Sequence, residues 1–184
     1  NNLRSLITIL EDSLEITSEE DHEIMSMINQ STVNLGLIIN ELSDIVKLEN
    51  EIDTLENIDV AQLLKEIESS MKDKLVLSNA TINLDLNVAT IPFSRKNLRS
   101  ILTNLLTNAI KYCSPDRAPE VTFSTEAKDD YIVLSATDNG LGIPENKKQE
   151  IFARFKRAHN HVEGSGVGLF LIKKIINLAG GDID

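Results

Sequence analysis

A break in both charge and apolar rhythm near residue 50 constrains this chain more than any other feature. Residues 1–60 carry two basic side chains, Arg4 and Lys47, against fourteen acidic ones, whereas residues 61–184 carry 16 against 15. So uneven a distribution implies two modules with different surfaces. In the first, Leu3, Ile7, Leu10 and Leu14 recur at steps of four, three and four, which is one face of a helix. A polar stretch from Thr17 to Glu23 interrupts the pattern. It resumes with Ile24, Ile38 and Ile45 in one heptad phase and Ile28, Leu35 and Leu42 in another. The spacing predicts a two-helix hairpin over residues 1–50, too small to bury its own stripes. Those stripes can pack on the rest of the same chain, or two copies can pair into a four-helix bundle.

Residues 51–60 lose the heptad and read as a linker. From residue 61 to 184 the rhythm is mixed. Residues 61–73 read as helix, and Ile82, Leu84, Leu86 and Val88 alternate with polar residues as in a half-buried strand. Residues 95–112 read as a helix with Leu98, Ile101, Leu102, Leu105, Ala109 and Tyr112 on its apolar stripe. Val121 and Phe123 mark one strand and Tyr131 to Thr137 another, and Leu169 to Leu178 closes as a helix. The expected class is α+β, with antiparallel strands.

A formal charge of −11 excludes general nucleic-acid binding, which needs clustered Lys and Arg. The single cysteine, Cys113, excludes an internal disulfide framework and suits a reducing compartment. No apolar run approaches the roughly 20 residues that span a bilayer, and no signal-peptide pattern opens the chain. The expectation is a cytoplasmic segment without membrane contact of its own, compatible with the soluble part of a membrane-bound sensor.

Three segments carry chemistry. In Asn104-Leu105-Leu106-Thr107-Asn108-Ala109-Ile110-Lys111-Tyr112, two amides one turn apart share a helix face with Lys111. Asparagine is a poor interior helix residue, so two aligned copies need a reason. Amide oxygens can ligate Mg²⁺ and an ammonium suits phosphate, while a solvated polar face is the plain alternative. Asp138-Asn139-Gly140-Leu141-Gly142-Ile143-Pro144 follows a strand. Its glycines admit a flat ligand and its carboxylate can accept from an exocyclic amine such as that of adenine; alone, a tight hairpin turn fits as well. Gly164-Ser165-Gly166-Val167-Gly168-Leu169 opens a helix, where free N–H groups favour phosphate, or it is a flexible connector. It lacks the Gly-Lys-Ser/Thr of a Walker loop.

The order and spacing of these segments, with Ile151-Phe152-Ala153-Arg154-Phe155-Lys156-Arg157 between the last two, resemble the ATP-binding domain of sensor histidine kinases. They are similar to its asparagine box, first glycine box, phenylalanine box and second glycine box. The resemblance covers almost all of residues 60–184. It implies an α/β sandwich of the Bergerat type, with its final strands beyond residue 184. It also implies ATP and Mg²⁺ as ligands. Asn108 would hold Mg²⁺, Asn104 would support the phosphate region, and Lys111 and Arg157 would contact phosphates. Tyr112 would line the pocket, Asp138 would recognise the adenine amine, and Gly140 and Gly142 would shape that wall. Gly164, Gly166 and Gly168, with Leu169 behind them, would hinge the lid over the phosphates.

The first 50 residues resemble the same family's dimerisation and phosphoacceptor hairpin. Asn1-Asn2-Leu3-Arg4-Ser5-Leu6-Ile7 matches its signature at Leu3, Arg4 and Ser5, with Leu6 where proline is commonest. Asn1 stands at the phosphoacceptor position. A neutral imidazole offers a nitrogen lone pair to a phosphoryl group, and a delocalised amide nitrogen does not. Asn2 and Ser5 flank it; Ser5 stands where members often hold a polar residue used in dephosphorylating the response regulator.

The resemblance thus implies a homodimeric histidine kinase core that passes phosphate to an aspartate of a response-regulator receiver domain. The competing reading is a pseudokinase, a nucleotide-gated dimeric scaffold without phosphotransfer. An ATP-hydrolysing chaperone or mismatch-repair relative ranks last, because Asn104 stands where those enzymes carry a catalytic Glu. No carboxylate occurs from Lys96 to Pro115. His22 reads as solvated, and His159 and His161 as part of the lid rather than a metal site.

Overall fold

The computed structural model describes residues 21–28, 31, 32, 35, 36, 39, 54–153, 156 and 166–184. The first hairpin helix, with Asn1, Asn2 and Ser5, and the positions Arg157, His159, His161 and Gly164 lie outside the described residues. The chain divides into two units, Asn1–Asn50 and Glu51–Asp184.

In the first unit every described residue is helical, beginning at Asp21. The polar turn expected over residues 17–23 therefore ends sooner, since Asp21, His22 and Glu23 already belong to the helix. Ser31 and Thr32 fit inside it because their hydroxyls donate back to the carbonyls of Met27 and Ile28, at 2.8 and 2.9 Å. Ile24, Ile28, Leu35 and Ile39 are exposed on this helix. None of the described helices is long and apolar enough to cross a membrane.

The second unit begins with a strand. β1 (Glu56–Asp59) occupies part of the stretch expected to be linker, and pairs antiparallel with β3 (Thr90–Phe93). Its residues carry only one apolar side chain, Ile58, which is buried, so no alternation marks it in sequence. Asp59 then caps α1 (Val60–Ser70), its carboxylate accepting from the Gln62 N–H at 2.9 Å. The chain breaks at Met71 and continues as α2 (Lys72–Ser78), which Asn79 closes in the left-handed region. The expected single helix over 61–73 is thus two.

β2 (Thr81–Leu86), β4 (Glu120–Lys128) and β5 (Tyr131–Asp138) form a second sheet in the order β2-β4-β5. β4 and β5 are an antiparallel hairpin, but β2 and β4 are parallel, with Leu84 opposite Phe123. That corrects the all-antiparallel expectation. A parallel pair needs a crossover, and the intervening α3 (Arg95–Lys111) supplies it. Ser94 caps α3 by accepting from the Asn97 N–H. A last helix, α4 (Gly168–Leu178), packs against α3.

One core holds these layers. Val60, Leu63, Leu64 and Ile67 of α1 meet Leu98, Leu102, Leu106 and Ala109 of α3 and Val121 and Phe123 of β4. Each such Leu or Ile contributes about 1.5–3 kcal/mol by leaving water. At the rim Glu66 of α1 pairs with Arg95, at 2.6 Å, and with Arg99 of α3. Inside, the buried Thr125 hydroxyl donates to the Val88 carbonyl at 2.7 Å and accepts from the Val88 N–H at 3.1 Å. This clip ends β2 at Leu86, so Val88 lies outside the strand that its alternation suggested. Thr125→Val keeps the shape but strips Val88 of both partners. It should lower unfolding free energy by about 1–3 kcal/mol, read as a lower urea midpoint at unchanged slope.

Candidate nucleotide-binding site

α3 puts Leu98, Leu102, Leu106 and Ala109 into the core and leaves Asn104, Asn108 and Lys111 half-buried. Steps of four and three keep those three in one stripe. Their surroundings differ. Asn104 Nδ2 donates to the Ser100 carbonyl one turn back, at 2.9 Å. Among the described residues the Asn108 side chain has no hydrogen-bond partner. The Lys111 ammonium lies 5.3 Å from the centroid of the Tyr112 ring, within cation–π reach.

The last carbonyls of a helix lack helical partners, and here one of them docks the loop after β5. The Tyr112 carbonyl accepts from the Leu141 N–H at 2.9 Å. Gly140 lies so close that a Cβ there would sit 2.6 Å from the Tyr112 oxygen and 2.7 Å from Asp138 Oδ1. Its N–H donates to the same Oδ1 at 2.8 Å. One carboxylate oxygen of Asp138 therefore fixes the loop, and the side chain as a whole stays exposed. Gly142, at φ +68°, turns the chain where other residues are strained. Among the described residues, those after Asp138 form no second arm of a hairpin, which removes the simple-turn reading of this segment.

Asn139 was legible only as a turn residue, yet it locks the base of the loop. Its Oδ1 accepts from the Glu120 N–H at 3.0 Å, and its Nδ2 donates to the Ala118 carbonyl at 3.1 Å. The available signal was an Asx residue at a strand exit, where side-chain amides replace backbone partners. Leu141 and Ile143 are also exposed on this loop, unusual for apolar residues beside a closely docked backbone. Cys113, next to Tyr112, is half-buried and free.

The second glycine segment approaches the same helix. Gly166 has φ +74°, Val167 is buried, and Gly168 begins α4. A Cβ on Gly168 would meet Asn104 Oδ1 at 2.9 Å. Leu169 is half-buried in that first turn. Asn104, Tyr112, Asp138, Gly140 and Gly168 thus come together along one edge of α3, with Asn108 and Lys111 between the two docking points. Those points, residues 104 and 112, lie about 12 Å apart along the helix axis.

The region that builds this arrangement, residues 94–184, matches the family of histidine kinase-, DNA gyrase B- and HSP90-like ATPases. The sensor-like histidine kinase ycf26 of Porphyra purpurea is 29% identical over 195 residues, covering 95% of this chain and 29% of that relative. Residues 94–184 are a histidine-kinase-type ATPase domain. The Acinetobacter baumannii histidine kinase AdeS shares the fold at a TM-score of 0.67 and 20% identity, over 96% of this chain and 82% of that structure. Full-length ShkA in complex with AMPPNP does so at 0.67 and 21%, over 97% of this chain and 38% of that one. The chain spans less than a third of the length of ycf26.

In this histidine-kinase-type domain the loop after β5 depends on a contact between backbones. The Tyr112 carbonyl cannot retreat without loosening the end of α3. Gly140→Ala should therefore destabilise the domain by about 1–3 kcal/mol, visible as a lower thermal midpoint in the absence of any nucleotide.

Proposed function

We propose that this chain binds Mg-ATP along the polar edge of α3, as the catalytic core of a two-component sensor histidine kinase. The observation that supports it most is the docking of the described parts of both glycine segments on one helix, with an Asn108 amide between them that has no partner among the described residues. In this reading Asp138 accepts from the adenine amine, and Gly140 and Gly142 keep that wall flat. Lys111, Arg157 and the N–H groups near Gly164, Gly166 and Gly168 hold the phosphates. Tyr112 lines the pocket and steadies Lys111 through its ring. Among the described residues no group of three or more His, Cys, Asp or Glu is placed to hold a metal. A Mg²⁺ would therefore rest on Asn108 and phosphate oxygens, where it would neutralise charge on the transferring group.

A hydrogen bond to a charged group is worth about 1.5–3 kcal/mol. Asp138→Asn should thus weaken ATP by about 10- to 150-fold, with a smaller loss for a nucleotide lacking the exocyclic amine. Equal losses for both in calorimetry would remove adenine recognition from Asp138.

The phosphoacceptor belongs to the hairpin of residues 1–50. Two copies of it, joined through stripes that include the exposed Ile24, Ile28 and Leu35, would make the dimeric bundle. A receiver-domain aspartate would take the phosphoryl group onward. Asn1 stands at the nucleophile position, so the chain as it stands should bind Mg-ATP and accumulate no phosphohistidine. Asn1→His should restore acid-labile, alkali-stable label from γ-labelled ATP, and adding Asn108→Ala should abolish it. Label on the unaltered chain at His22, His159 or His161 would displace Asn1 from this role. Failure of Asn1→His with nucleotide binding intact would favour a pseudokinase scaffold.

A further inference from the structure

Among the described residues, Asn104 is the asparagine of the polar edge whose side-chain amide has a hydrogen-bond partner. Its Nδ2 is held by the Ser100 carbonyl at 2.9 Å, which leaves Oδ1 facing Gly168. That oxygen lies 2.9 Å from the point where residue 168 would carry a Cβ, closer than a Cβ normally approaches. Gly168 has no positive φ, so its backbone does not call for glycine. It opens a helix, where alanine is the better former. Space, not conformation, is what glycine supplies here.

We propose that Asn104 is a positioning residue: its amide is the stop against which Gly168 seats the second glycine segment at the phosphate end of the site. Asn104 then acts through the segment that it seats and touches neither metal nor phosphate, in contrast to Asn108, whose side chain has no partner among the described residues. The inference rests on the nucleotide reading above and refines it. The adenine end is docked separately, eight residues along α3, through Tyr112, Gly140 and Leu141. Disturbing the Asn104–Gly168 contact should consequently be felt by the triphosphate and not by the base.

The test is a double-mutant cycle on the full chain with Asn104→Ala, Gly168→Ala and both together. Calorimetry uses Mg-ATP and, in parallel, adenosine. Gly168→Ala should weaken Mg-ATP by about tenfold or more and leave adenosine within about twofold. The double variant should bind Mg-ATP no worse than Asn104→Ala alone, because the new methyl group enters the space that the amide vacated. Losses that multiply in the double variant, or adenosine weakened as much as Mg-ATP, would overturn the proposal. The same cycle on thermal midpoints without nucleotide should also show rescue. If the unaltered chain binds neither ligand, the nucleotide reading fails on its own, and additive thermal effects would then reject the contact as well.

Discussion

The architecture turns on how closely two glycine segments approach a single helix. α3 is both the crossover that makes β2 and β4 parallel and the surface on which the site assembles. Its apolar face is fixed by Leu98, Leu102, Leu106 and Ala109 against α1 and the sheet, so its opposite edge is a rigid ruler. One docking uses the orphan carbonyl of Tyr112, which a helix end leaves free and which Leu141 satisfies. The other uses the side chain of Asn104 against the start of α4. A Cβ on the approaching residue would meet the Tyr112 backbone in the first case and the Asn104 side-chain amide in the second. Both contacts are made by the protein's own groups, and contacts of this kind lower the ordering cost of binding.

Much of this was legible because α3 has a strong pattern. Its apolar stripe, its two aligned asparagines and the two glycine segments all stand in the sequence at spacings that have few structural meanings. β1 was not legible, since Ile58 alone carries its burial and flanking acidic residues resemble a linker. Strand direction was not legible either, because alternation records which face is buried and not which way the chain runs. The break at Met71 lay inside a continuous helical composition. At the candidate site, spacing put the two amides on one helix face and was silent on their hydrogen-bond partners. Nothing in the spacing of Asn104 and Asn108 says that one amide is tied to Ser100 and the other is not. Asn139 was hidden for the opposite reason, as an ordinary turn residue whose side chain does the work of a backbone strand partner.

The two units differ in charge density, and the proposed reaction needs both. Residues 1–60 are strongly acidic and residues 61–184 nearly balanced, so the basic groups proposed to contact phosphate, Lys111 and Arg157, lie in the second unit. The ATPase family match begins at residue 94 and includes α3 entire, whereas β1 and α1 lie ahead of it. Those elements supply half of the core under α3, which makes them part of the nucleotide domain in physical terms.

Mg-ATP is proposed to lie along one edge of α3, between two glycine segments that dock on it separately. Amide and side-chain NMR spectra of the chain, recorded with and without saturating Mg-ATP, test it most directly. Concerted shifts are expected at Asn108, Lys111, Asp138, Gly142 and Gly168. The Asn108 side-chain amide should respond to Mg²⁺ while the Asn104 amide keeps its bond to Ser100. Shifts gathered on another surface, or a Mg²⁺ response at Asn104 and none at Asn108, would contradict it.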